Sequence, residues 1–170
     1  MAESTIAKSK YDKYVVRRPG LPVSHSVIKF PDSDVFPNID ATDTGPRVIL
    51  CNELIPNATT MIEYGFVMGD RIVGEGLSHK HNYEEIFLFL GTDPQDTTKL
   101  GAEVEFWLGE GEDRDKVVLT TSSAVCVPPN LAHFPQIWRN VTRPVTMVVI
   151  MPTAGERKVV PVPNPELSQK

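Results

Sequence analysis

Residues 102–108 read Ala-Glu-Val-Glu-Phe-Trp-Leu, and this alternation constrains the fold more than any other stretch. Ala102, Val104, Phe106 and Leu108 fall on one side, and Glu103, Glu105 and Trp107 on the other. A repeat of two belongs to a strand with one face buried, not to a helix with its 3.6-residue turn. Other short apolar runs share the same flavour: Val27–Phe30, Val48–Cys51, Thr60–Met68, Ile86–Leu90, Val117–Thr120, Ala124–Val127 and Val145–Met151. Val, Ile, Phe and Thr dominate them, as strands prefer. Clusters of Gly, Pro, Asn and Asp separate them, which marks turns. About eight short strands punctuated in this way predict an all-β sandwich or barrel. A jelly roll is the member of that group whose interior can hold a ligand.

At 170 residues the chain fits one domain. We expect an N-terminal extension over 1–20, a barrel over 21–152 and a Pro-rich tail over 153–170. Residues 1–14 are expected to form a short helix or to fray. Pro161, Pro163 and Pro165 predict an extended, poorly packed end. The net charge of −5 and the scatter of basic residues predict no nucleic-acid partner. No window approaches the ~20 apolar residues of a membrane span, so no membrane partner is expected. The opening residues lack the apolar core of a secretory signal, which predicts a cytoplasmic protein. Cys51 and Cys126 each sit in an apolar run, have no CxxC spacing, and read as buried thiols. His25 lies in the polar segment Ser24–Ser26 and reads as a surface residue.

Chemistry concentrates in Gly76–Gly91, which reads GLSHKHNYEEIFLFLG. On a strand, His79 and His81 would project from one face. Two imidazoles with a carboxylate close behind suit a first-row transition metal, because neutral nitrogen and anionic oxygen are its ordinary donors. The bland reading of each histidine is an ordinary surface or core residue. Further along, VPPNLAHFP spans 127–135. Pro128 and Pro129 stiffen the turn, and Asn130 tolerates a left-handed backbone. Such a turn would aim His133 into the barrel; the bland reading is an exposed His on a loop.

Together these stretches resemble the two signature motifs of the cupin superfamily, in its small single-domain, metal-binding form. His79, Lys80 and His81 supply the HxH of the first motif, followed by Glu85 and Gly91. Pro128, Asn130 and His133 fill the second, with Asn130 where the family has glycine. Gly76 lies closer to His79 than the family spacing, Gly74 nearer to it, and the family's Asn after His133 is absent or displaced. The resemblance implies a double-stranded β-helix, the jelly-roll or cupin barrel. It also implies one divalent transition metal held by His79, His81, Glu85 and His133. Glu84 is the rival carboxylate; Glu85 is preferred for its loop length and for sharing a strand face with Phe87 and Phe89.

Iron(II) is the first expectation for the metal, with manganese, nickel, zinc and copper open. Four protein donors would leave a six-coordinate ion two positions for substrate or dioxygen. Structural zinc sites, by contrast, are closed and rich in Cys. The resemblance therefore implies an enzyme, first a dioxygenase-type oxidoreductase acting on a small aromatic, enolic or 2-oxo-acid molecule. A decarboxylase or isomerase, and a non-catalytic metal- or ligand-binding module, are the alternatives. Candidate pocket residues are Phe87, Phe89, Phe106, Gln136, Tyr64 and Arg47, each with core packing or plain solvation as its bland reading. By analogy with small cupins, a homodimer is expected, with Val48–Cys51 as a candidate edge.

Overall fold

A computed structural model describes residues 9–16, 47–52, 54–74, 78–152 and 159–163. Val27–Phe30 and His25 lie outside them. Among the described residues there are eleven strands and two single turns of 3-10 helix, at Asp12–Tyr14 and Gly111–Asp113. The strands are β1 (Arg47–Leu50), β2 (Thr60–Val67), β3 (Arg71–Val73), β4 (His79–His81), β5 (Glu85–Gly91) and β6 (Lys99–Leu108). They continue as β7 (Asp115–Thr121), β8 (Ser123–Val127), β9 (His133–Arg139), β10 (Val145–Pro152) and β11 (Val159–Pro161). Among the described residues no helix is long and apolar enough to cross a membrane.

The strands form two antiparallel sheets that close over a common core, the all-β arrangement of a cupin barrel. One sheet runs β1-β2-β10-β5-β8; the other runs β11-β4-β9-β6-β7, with β3 also paired to β9. The core follows the alternation. Phe87, Phe89, Val104 and Phe106 point inward and are at most 1% exposed. Burying each such side chain contributes about 1.5–3 kcal/mol. The rings interlock: Phe87 and Phe106 meet edge to face at 5.0 Å, and Phe89 lies 5.8 Å from Trp138.

Gly91 closes β5 because nothing larger fits. A Cβ there would stand 1.8 Å from the carbonyl oxygen of Lys99.

Two expectations need correction. Cys51 is buried, but Cys126 is exposed, on the outward face of β8. Its thiol lies against Glu84, and that acid pushes the thiol pKa up. The C-terminal stretch is not loosely packed throughout: Val159–Pro161 pairs with β4, and Val162 is buried. A sheet edge offers unpaired backbone groups, and even a proline-containing segment can take up the ones it still matches.

Candidate metal centre

Three elements bring the four residues together. β4 carries His79 and His81 on one face, as a two-residue repeat requires. β9 pairs with β4 at His79↔His133, which sets the second motif beside the first. β5 comes from the other sheet and begins with Glu85, on the inward face shared with Phe87 and Phe89. The turn before β9 behaves as its residues suggest. Asn130 has φ 68°, in the left-handed region, and its N–H donates to the carbonyl of His81 at 2.7 Å. One turn residue thus ties the second motif to the HxH strand.

All four residues are buried, and their donor atoms lie within 4.8 Å of one another. Glu85 Oε2 stands 2.9 Å from His81 Nε2 and 3.0 Å from His133 Nε2. The rings of His79 and His133 are 4.4 Å apart, and those of His81 and His133 4.9 Å. Two of the other ring nitrogens are committed. His81 Nδ1 is 2.7 Å from the Tyr83 carbonyl, and His133 Nδ1 is 3.2 Å from the Leu131 carbonyl. A carbonyl only accepts, so each Nδ1 carries a hydrogen, and with an ion bound each Nε2 would be the nitrogen left to offer it a lone pair. That tautomer is the one a metal requires.

The donor set passes a further test of fit. His133 Nε2 is buried and lacks a hydrogen bond of good geometry, although a carboxylate oxygen is close by. Burial raises the Glu85 pKa, but the His133 and His81 imidazoles beside its carboxylate outweigh that and hold the pKa at about 2. The carboxylate is therefore an anion with its lone pairs gathered toward the histidines. Three nitrogens and one carboxylate oxygen match iron, manganese, nickel, copper or zinc. Glu84 is partly exposed beside Cys126 and stays outside the cluster.

The pocket candidates divide. Phe87 and Phe106 border the ligands, 6.0 and 6.4 Å from the His133 ring. Gln136 is fully buried and pairs with Phe106 across β6 and β9. Phe89 lies deeper, against Phe87, Phe106 and Trp138, and belongs to the core. Tyr64 is a correction: it points away from the interior. The inward residues of β2 are Met61, Glu63, Gly65 and Val67, and Tyr64 packs on Phe66 on the other face. The Arg47 backbone pairs with Tyr64 on β1, at the sheet edge, with β2 and β10 between it and β5.

Further residues complete the site. Tyr83 stacks on His81 with ring centroids 3.9 Å apart and planes within 3°. Phe134 lies over His79 at 5.6 Å and has φ 77°, a strained conformation for a non-glycine residue. Gly74 makes room for it, since a Cβ on Gly74 would sit 2.5 Å from the Phe134 ring. Arg114 reaches across from the 3-10 turn before β7, bonding Ser78 Oγ at 3.3 Å and the Phe134 carbonyl at 3.2 Å. Its guanidinium also lies over Trp107. Arg114 thereby braces the residues flanking His79 and His133 from outside.

No family model matches this chain, and no curated protein matches it in sequence. Solved structures do. One of DMSP lyases is 13% identical with TM-score 0.45, covering 67% of this chain and 51% of that one. This chain thus spans about half the length of that neighbour. A cupin-2 domain from Rhodospirillum rubrum is 12% identical with TM-score 0.47, covering 72% and 68%. An oxalate oxidase in complex with the substrate analogue glycolate is 16% identical with TM-score 0.47, covering 76% and 66%. The fold reading stands on the sheets and their order, and the His-His-Glu-His cluster on them fits a metal-binding cupin.

Proposed function

We propose that this chain is a metal-dependent cupin enzyme of the dioxygenase type, acting on a small aromatic, enolic or 2-oxo-acid substrate. The observation that carries the reading is the composition of the cluster: three imidazoles and one carboxylate, buried, with no thiolate. A closed structural zinc site leans on Cys and uses up its coordination positions. Four nitrogen and oxygen donors leave room on a six-coordinate ion. His79, His81, Glu85 and His133 would hold a divalent ion, iron(II) first, and the ion would supply Lewis acidity and redox chemistry.

The protein's own contribution is orientation and exclusion. The Tyr83 and Leu131 carbonyls fix two imidazole tautomers. Glu85 remains anionic across the working pH range because its pKa is held at about 2. Phe87, Phe106 and Phe134 pack around His133 and form apolar walls that would keep bulk water from a bound molecule. Such walls suit a flat aromatic or enolic substrate.

Anaerobic reconstitution of metal-free protein with iron(II), manganese(II), nickel(II) or zinc(II) tests this. Oxygen uptake is then followed with catechols, enediols and 2-oxo acids. Consumption of dioxygen in step with substrate, with one metal per chain, is the expected result. Turnover without oxygen uptake would reassign the chain to a decarboxylase or isomerase. No turnover with any metal would leave a binding module.

We also propose a homodimer that pairs through β1. That strand ends the first sheet among the described residues, and an unpaired edge favours a second strand. A monomeric mass by light scattering would reject the dimer.

A further inference from the structure

Gln136 is 0% exposed, yet half of its amide has nothing to bond. Its Oε1 accepts from the Trp138 indole Nε1–H at 3.3 Å. Indole nitrogen only donates, which fixes the amide orientation and turns Nε2 away from Trp138. Nε2 is buried without a partner. A buried donor left unpaired is destabilising, and native interiors avoid it. Methionine or leucine would fill the same volume without that orphaned donor, at the cost of the acceptor for the Trp138 indole N–H.

The position of the amide relates it to the site. Across β6 and β9, His133 pairs with Leu108 and Gln136 with Phe106. The Phe106 ring touches Phe87 and lies 6.4 Å from His133. Gln136 thus occupies the level of the barrel immediately beneath the four donors, level with Phe87 and Phe106.

Charge narrows what could lie there. Among the described residues the buried polar side chains are Glu63, Ser78, His79, His81, Glu85, His133 and Gln136, with no Lys or Arg. Glu63 is at the Phe87 level, joined to it through Val149 in the first sheet, and it is an acid. Among the described residues no buried cation stands at this level to meet an anionic arm, and burying an uncompensated charge is costly.

We propose that Gln136 recognises substrate: Nε2 donates a hydrogen bond to a neutral carbonyl or hydroxyl oxygen of a molecule whose other end lies at the His-His-Glu-His cluster. The proposal rests on the reading of that cluster as an open metal site. It narrows the substrate class to molecules with a chelating head and a neutral, oxygen-bearing far end.

The test uses zinc-loaded protein, since zinc does not oxidise catechols, and calorimetric titration with three probes. These are catechol, 3,4-dihydroxybenzaldehyde and 3,4-dihydroxybenzoate. The aldehyde itself acidifies the catechol, so the measure is each probe's affinity for wild type relative to Gln136→Met. Losing one hydrogen bond to a buried donor corresponds to about a tenfold change. The aldehyde should weaken about tenfold in the variant, and catechol and the benzoate less than about twofold. Zinc affinity should hold, and the metal-free protein, which loses the Trp138 hydrogen bond along with the orphaned donor, should still unfold cooperatively. Equal loss for all three probes, or none, overturns the proposal. A loss confined to the benzoate overturns the neutral far end. Loss of cooperative unfolding in both Gln136→Met and Gln136→Leu makes the amide structural and overturns it too. If zinc binds wild type but no probe does, the open-site reading has failed first, and the recognition role falls with it.

Discussion

The two sheets build their halves of the barrel differently. In the first, β2, β5 and β10 are seven or eight residues long. β10 pairs without a slip to both neighbours, from Val145 to Pro152 on β2 and from Val145 to Ile150 on β5. In the second, β3, β4 and β11 have three residues each, and β6 slips register against both β7 and β9. The left-handed residues Asn130 and Phe134 border or begin β9. The long ladders of the first sheet bring Phe87 and Phe89 to a core that β6 and β9 also line, while irregularity surrounds three of the four donors. A long ladder presents side chains at fixed intervals, and converging imidazoles need intervals a ladder does not offer. Strain of this kind persists where surrounding structure holds it.

If the division is real, damage to the first sheet should be global and damage to the second local. The largest stability effect is expected for Phe89→Ala, which opens a cavity among Phe87, Phe106 and Trp138. A loss of about 3–5 kcal/mol in urea unfolding is expected. A loss below about 1 kcal/mol would mean the regular sheet is not the main source of stability.

His81→Ala and Glu85→Gln should abolish one-to-one metal binding while the metal-free barrel still unfolds cooperatively. Glu84→Ala should bind metal as wild type does. Metal content after dialysis, with circular dichroism, reads both properties. Gross unfolding of His81→Ala would make the cluster structural and erase the contrast.

Gly74→Ala introduces a Cβ at φ 73° against the Phe134 ring. About 1–3 kcal/mol of destabilisation is expected. The near-ultraviolet dichroism of the aromatic cluster should change with it. An unchanged spectrum would show that Phe134 has room to retreat.

The smallest effect is expected for Lys80→Ala, which breaks an exposed pair with Glu110. Under about 1 kcal/mol should be lost. A larger loss would place the Lys80 ammonium among the supports of the HxH strand.

Much of the first sheet was legible in the sequence. Runs at 48–51, 60–68, 86–90 and 145–151 coincide with β1, β2, β5 and β10 to within a residue or two. Parity along β5 also chose Glu85 over Glu84. The second sheet was legible only at β6 and β7. β9 reads His-Phe-Pro-Gln-Ile-Trp-Arg, and its burial runs buried, partial, buried, buried, so no period of two survives. β11 hid in a proline-rich stretch, because its partner strand rather than its composition makes it a strand. Tyr64 misled for the opposite reason. Both faces of β2 carry apolar residues, and the inward one includes Glu63 and Gly65, so polarity gave no direction. The Tyr83 and Leu131 carbonyls that set the imidazole tautomers are backbone atoms, which leave no trace in side-chain patterns.

β11 lies along the HxH strand, aligning Val159 with His81 and Pro161 with His79, while the Val162 N–H donates to the Ser78 carbonyl at 2.8 Å. Of the strands described it is the last in sequence, so the outer edge of the HxH strand is sealed from far downstream rather than by a sequence neighbour. Cutting the chain after Pro152 would strip that cover and lay open the β4 backbone on the side away from His133, while every strand of the first sheet stays in place.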